Sequence, residues 1–450
     1  MNLKEVHRVY FIGIGGIGMS AIAKYFSING KQVAGYDKTP SDITASLTNA
    51  GASIHFEDAL HLIPQDFKDT EGTLVVYTPA VPKDHKQLNF FFEQGFVTLK
   101  RAQILGEITK NTFCLGVAGT HGKTTTSSIL GHIMKACNTG ATSFLGGVTE
   151  NYNSNLIEGG DAISVVEADE FDRSFLQLSP DVACITSMDA DHLDIYGEKE
   201  ALEASFKEFS DKVTQQLIVC KGLPLRGLTY AVGSDADYTI YDVEINEGAY
   251  YFSVKTPKAT LSNMVFHLPG RHNLSNALAA IAMAEQYGLS LEEISKALKT
   301  FAGVKRRFSY KIKRKDFVLI DDYAHHPTEI DAVVDAVREM YPNEEVLAVF
   351  QPHLFSRTRD FIDDFASSLS RFDALVLLDI YPSRELPIPG VDSQWLFDKV
   401  TIANKQLLDK KEVFTAIKQS NKRIVVMLGA GDIGVLIEEV QEGFESLLKL

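Results

Sequence analysis

A chain of 450 residues with 59 acidic and 44 basic side chains carries a formal net charge of −15, which argues against nucleic acid as a partner. Its 45% hydrophobic and 23% charged composition is that of a globular protein too long for a single core, so about three domains are expected. The four cysteines lack a CxxC pair, the N-terminus lacks a signal-peptide pattern, and no apolar run nears the ~20 residues that span a bilayer, so we expect a cytoplasmic protein without a membrane partner.

Short apolar runs alternate with helix-like segments from end to end, which predicts α/β layers on mostly parallel sheets. In residues 1–108, "RVYFIGIG", "QVAGYD", "ASIHF" and "TLVVYTPAV" read as strands of a Rossmann-like N-terminal domain. Residues 109–302 form a central P-loop ATP-binding α/β domain: a strand over Thr112–Val117, the runs "AISVVEADE" and "VACITSMDADH", a β-rich stretch around 230–269, and a helix from about Leu274. Residues 303–450 carry "FVLIDDYAHH", "EVLAVFQPH", "ALVLLDIY" and "RIVVMLGAG", each a strand ending in polar or glycine residues, and read as a C-terminal Rossmann-like α/β domain.

"GVAGTHGKTTT" (116–126) is a strand, a glycine turn and a helix start. Such a turn aims backbone N–H groups and the helix dipole at an anion. Gly119, Thr120, His121, Gly122 and Thr125 frame the loop, Lys123 can reach the β- and γ-phosphates, and Thr124 can hold Mg²⁺. Val117 stands where the strict motif has its first glycine. Glu167, closing "AISVVEADE", is the expected carboxylate beside the metal, with Asp169 and Glu170 as further candidates. A second acidic strand end offers Asp189, Asp191, His192 and Asp194, crowding that favours a second metal or a positioned cation.

"GIGGIGMS" (Gly13, Gly15, Gly16, Gly18) with Asp37 closing the next strand fits a dinucleotide fingerprint, yet the same geometry binds any pyrophosphate. "GAGDIG" (Gly429, Gly431, Gly434) repeats the spacing and is read as a structural turn. The C-terminal section adds Asp322, His325, His326, His353, Arg357, Arg359, Lys305, Arg306 and Arg307; arginine forks suit a carboxylate or a transferring phosphoryl group, while salt bridging competes for Arg359 and Lys305. These residues imply phosphoryl transfer from ATP and leave kinase, ATPase and ligase open.

"GTHGKTTT", "EADE", "DADHLD", "RHNLSNALAA", "RRF", "DDYAHHP" and "QPHLFSRT", in that order, resemble the Mur ligases of peptidoglycan synthesis across essentially the whole chain. The resemblance implies ATP and Mg²⁺ as cofactors, UDP-N-acetylmuramate and L-alanine as substrates, and an acyl phosphate on the lactyl carboxylate. It implies that Lys123 clamps the γ-phosphate, that Thr124 and Glu167 hold one Mg²⁺, and that His192 with Glu167 holds another. Gly15, Gly16 and Gly18 would cradle the UDP diphosphate with Asp37 nearby, and His272, Asn273 and Asn276 would meet adenine. His325, His353, Arg357 and Arg306 would meet phosphate and the amino-acid carboxylate from a domain that closes on ATP.

Two positions depart from the family pattern. Ser187 replaces the usual asparagine before the "DH" pair, and Lys207, at the spacing of a carbamylated lysine, reads equally as a solvated helix face. Competing readings are a murein-peptide recycling ligase of the same family, an NAD-dependent dehydrogenase, and a UDP-sugar sensor without turnover. A monomer and a homodimer are equally compatible with the chain.

Overall fold

The computed structural model describes residues 3–189, 199–246, 248–383 and 385–448. It contains three sheets, an α/β fold in three parts. The first has β1 (Arg8–Ile12), β2 (Gln32–Tyr36), β3 (Ser53–His55), β4 (Thr73–Tyr77) and β5 (Val97–Lys100), all parallel, in the order β3-β2-β1-β4-β5. Strand order reverses at β1, so a crevice opens beyond its carboxyl end, where the first glycine loop lies. One face of this sheet packs Tyr10, Phe67 and Phe91; the other joins Phe11, Ile22 and Phe26 to a core that continues into the central sheet.

The central sheet runs β15-β14-β13-β12-β11-β10-β6-β9-β7-β8. Its members are β6 (Phe113–Ala118), β7 (Thr142–Thr149), β8 (Ser154–Ile157), β9 (Ile163–Glu167), β10 (Val182–Ile185), β11 (Gln216–Cys220), β12 (Leu228–Val232), β13 (Tyr238–Asn246), β14 (Ala249–Lys255) and β15 (Thr260–Phe266). β6, β9 and β10 are nearly continuous apolar runs, as parallel strands buried on both faces are. The third sheet, β16-β17-β21-β18-β19-β20, contains β16 (Ser309–Lys313), β17 (Val318–Asp322), β18 (Val346–Phe350), β19 (Ala374–Leu377), β20 (Lys405–Leu407) and β21 (Ile424–Leu428).

Residues 1–244, 251–266 and 274–302 make one compact unit, and residues 245–250, 267–273 and 303–450 a second. The expected strands form. Sequence patterning overlooked β5, β8, β16 and β20, short strands at sheet edges, and also the interior strands β7, which carries two glycines, and β11, a five-residue apolar run. The helix expected from Leu274 begins at Arg271. Cys114 and Cys184 are buried, whereas Cys137 and Cys220 are half-buried, and all four are free thiols. No helix among the described residues is long and apolar enough to cross a membrane.

Candidate functional site

Register alone assembles the central site. β6 lies between β9 and β10, with Val117 opposite Glu167 and Ala118 opposite Ile185. The 119–122 loop, the acidic end of β9 and the segment after β10 therefore meet at one sheet edge. Gly122 takes φ +84°, and a Cβ there would stand 2.5 Å from Asn276 Oδ1, so only glycine turns the chain into helix Lys123–Ala136. That helix starts without a side-chain cap, which leaves backbone donors for an anion.

Thr124 Oγ1 donates to Glu167 Oε1 at 3.0 Å, and the Gly146 N–H donates to Oε2 at 2.9 Å. Burial raises the Glu167 pKa, against the pull of Lys123. A hydroxyl and a carboxylate in contact are the hard oxygen donors that Mg²⁺ takes alongside phosphates and waters, so this pair fits the ion. Lys123 Nζ donates to the Gly119 carbonyl at 2.6 Å and pairs with Glu170, itself fully buried. Burial opposes the lysine's charge, but Glu170, Asp169 and Glu167 outweigh it and raise the pKa.

The loop is braced from β10. The His121 N–H donates to Ser187 Oγ at 2.8 Å, Ser187 Oγ lies 2.9 Å from Thr120 Oγ1, and the Asp189 N–H donates to Thr120 at 3.0 Å. Ser187, set outside the expected site, thus shapes its loop. Thr125 is buried in the following helix, and Thr126 Oγ1 donates to Asn276 Oδ1 at 3.3 Å. His192, Asp191 and Asp194 lie outside the described residues. Among the described residues no group of three His, Cys, Asp or Glu side chains could hold a metal ion. Lys207 is exposed, as a solvated helix face would have it.

In the same unit, Gly16 caps helix Ile17–Ile28 without a side-chain bond, and the Gly15 N–H donates to Asp37 Oδ2 at 2.7 Å. Asp37 therefore holds the first glycine loop by its Gly15 amide. The second glycine pattern differs. The Ile433 N–H, at the start of its helix, is taken by Gln351 Oε1 at 3.0 Å, and a Cβ on Gly434 would stand 3.0 Å from Arg306 Nη1. Residues 429–434 thus pack against Gln351 and Arg306 of the chain itself.

The second compact unit holds the remaining candidates. His272 is exposed, and Asn273 Nδ2 donates to the Pro269 carbonyl at 2.6 Å. The rings of His325 and His353 lie 5.8 Å apart, and His353 stacks on Tyr381 at 5.7 Å. Burial, with the neighbouring charges of His325 and Arg357, pushes the His353 pKa down to about 4, and burial lowers that of His325 also. His353 Nδ1 is buried without a hydrogen-bond partner. No ion pair of Arg357 is found among the described residues, and its charge helps to lower the pKa of both histidines, while His325 Nδ1 also lies 3.3 Å from Glu329. Arg306 turns inward to Asp321, 3.3 Å away, and to the Gly429 carbonyl. Arg359 pairs with neighbouring Asp360 at 2.7 Å, a surface contact.

Three family models match in order: the Mur ligase family catalytic domain over residues 8–112, the Mur ligase middle domain over 117–284, and the Mur ligase glutamate ligase domain over 306–437. The chain belongs to the Mur ligase family. It is 59% identical over 444 residues to the UDP-N-acetylmuramate–L-alanine ligase of Flavobacterium psychrophilum, covering 98% of this chain and 99% of that one. The enzyme of the same name from Parabacteroides distasonis is 47% identical over 453 residues, with 98% of each covered. Among solved structures, the UDP-N-acetylmuramate-alanine ligase of Thermotoga maritima superposes with a TM-score of 0.85 at 27% identity, over 98% of this chain and 99% of that one. A murein peptide ligase from Psychrobacter arcticus shares the Mur ligase fold at TM-score 0.67 and 22% identity, over 96% of this chain and 98% of its own.

Proposed function

We propose that this Mur ligase joins L-alanine to the lactyl carboxylate of UDP-N-acetylmuramate, consuming ATP and releasing ADP and phosphate, in cytoplasmic peptidoglycan precursor synthesis. The observation that carries the reading is the contact of Thr124 with Glu167 at 3.0 Å beside Lys123, in one unit with a second glycine loop whose helix start has no side-chain cap. Near-full-length identity to ligases of that name supports the substrates.

Gly119–Thr125 would bind the triphosphate, and Gly15, Gly16 and Gly18 the UDP diphosphate with Asp37 moving off Gly15. Lys123 would neutralise the γ-phosphate as a lactyl oxygen attacks phosphorus and ADP leaves. The amine of L-alanine then attacks the acyl-phosphate carbon, and phosphate departs from the tetrahedral adduct. Mg²⁺ supplies charge neutralisation on phosphate oxygens, and Thr124 and Glu167 would hold it; His192 is assigned to a second ion from its sequence pattern alone. His272, Asn273 and Asn276 would line the adenine side. Arg357, without an ion pair among the described residues, suits the amino-acid carboxylate, with His325 and His353 as neutral hydrogen-bonding groups. Arg306, bonded within its own unit, would reach phosphate only by leaving Asp321. We assign residues 1–108 to the UDP-sugar, 109–302 to ATP and 303–450 to the amino acid. Closure of the last part would exclude water from the acyl phosphate.

The test is phosphate release from ATP and Mg²⁺ with UDP-N-acetylmuramate, with and without each amino acid. The reading expects release only when both the sugar nucleotide and L-alanine are present, with a product heavier by one alanyl residue. Release with a peptide in place of L-alanine would move the chain to a recycling ligase, and no release under any combination would sink the ligase reading.

A further inference from the structure

Arg101 has no part in the roles above. It opens helix Arg101–Thr109, where a cation faces the positive end of the helix dipole. Its side chain nevertheless turns inward: Nη2 donates to Asp169 Oδ2 at 2.9 Å, and a Cβ placed on Gly18 would come within 2.7 Å of Nη1. Arg101 thus touches the first glycine loop on one side and the acidic segment after β9 on the other. Gly18, Arg101, Gly146, Glu167, Asp169 and Phe144 help to wall a cavity of about 110 Å³ between them.

We propose that Arg101 binds the lactyl carboxylate of the sugar nucleotide, and that Asp169 holds that place in the ligand-free protein. The proposal rests on the ligase reading and adds a substrate-binding residue to it. A substrate whose diphosphate lies on the Gly15–Gly18 loop and whose carboxylate reacts beside Glu167 has to pass through this cavity. Its volume admits several waters, so a lactyl group fits. A guanidinium is the side chain whose donors match a carboxylate in two-pronged fashion. The exchange trades one carboxylate for another, so a half-buried cation is never left without a counter-charge. Close approach of Nη1 also accounts for glycine at position 18, where a larger residue would displace the fork.

Calorimetric titration of the full chain with UDP-N-acetylmuramate and with UDP-N-acetylglucosamine tests this, because the second ligand keeps the uridine diphosphate and lacks the lactyl group. The wild type should bind the muramate more tightly. Arg101→Gln should weaken muramate binding about 10- to 100-fold, as loss of a charge-assisted contact does, and change glucosamine binding by less than about threefold. Arg101→Lys should fall between, keeping the charge without the fork. Unchanged glucosamine binding also reports that the variant is folded. Equal weakening of both ligands, no weakening of either, or a wild type without preference would overturn the proposal. A wild type that binds neither ligand would overturn the functional reading itself.

Discussion

Lys123 Nζ stands 2.9 and 2.8 Å from the two carboxylate oxygens of Glu170, a side chain with no solvent exposure. In the ligand-free protein the loop lysine is therefore paired to a buried acid, and a triphosphate has to compete with Glu170 for it. Removing one partner of a buried pair costs up to about 3–5 kcal/mol when the other charge is left alone. Asp169 and Glu167 remain near Lys123, so Glu170→Gln should cost less, about 1–3 kcal/mol in denaturant unfolding, and a non-hydrolysable ATP analogue with Mg²⁺ should recover much of the loss. Because the pair raises the lysine pKa, its contribution is complete below the unfolded lysine value of about 10.4 and lost as pH rises through the folded value. The gap between wild type and variant should be constant at pH 7–9 and close at higher pH. A gap that the analogue leaves untouched would mean that Lys123 does not change partner.

Glu167 has its pKa raised by burial, and a carboxylate binds metal only when deprotonated. Apparent Mg²⁺ affinity should weaken on acidification, approaching tenfold per pH unit once the medium falls below that raised value. Glu167→Gln should remove the dependence and cut turnover at least about 100-fold. Titration of Mg²⁺ in the presence of ATP at several pH values checks both, and a pH-independent affinity in the wild type would contradict the assignment.

Ser187→Ala leaves the His121 N–H and the Thr120 hydroxyl short of a partner. An unsatisfied buried donor costs about 1–3 kcal/mol, so the ATP dissociation constant should rise about 5- to 100-fold. Ser187→Asn offers an amide oxygen to the same N–H and should stay within about threefold of wild type. Alanine and asparagine variants of equal affinity would show that the brace does not shape the loop.

His353 remains neutral down to about pH 4, whereas an unfolded histidine protonates near 6.5. Between those values the unfolded chain binds the extra proton, so stability should fall as pH drops from about 6.5 towards 4. His353→Gln should flatten the slope of melting temperature against pH in this window. An imidazole signal of His353 that titrates near pH 6.5 would rule out its role as a neutral partner.

A strand, a glycine turn and a helix start occupy consecutive residues, so the turns at 119–125 and 13–18 were legible from residue order alone. So was the α/β character, because apolar runs of strand length alternate with helical segments. Less legible was the division of labour within "EADE". Register puts Glu167 opposite Val117, and burial turns Glu170 to Lys123, facts that depend on neighbouring strands. Arg101 left no local signal because its partners, Gly18 and Asp169, are 83 and 68 residues away in sequence. The two glycine patterns have the same spacing, yet packing gives them different partners, Asp37 and Arg101 at Gly15 and Gly18 against Gln351 and Arg306 at Ile433 and Gly434. Backbone chemistry is written in consecutive residues and can be read there; which side chain fills a given space is settled when distant segments pack, and only the folded chain holds that information.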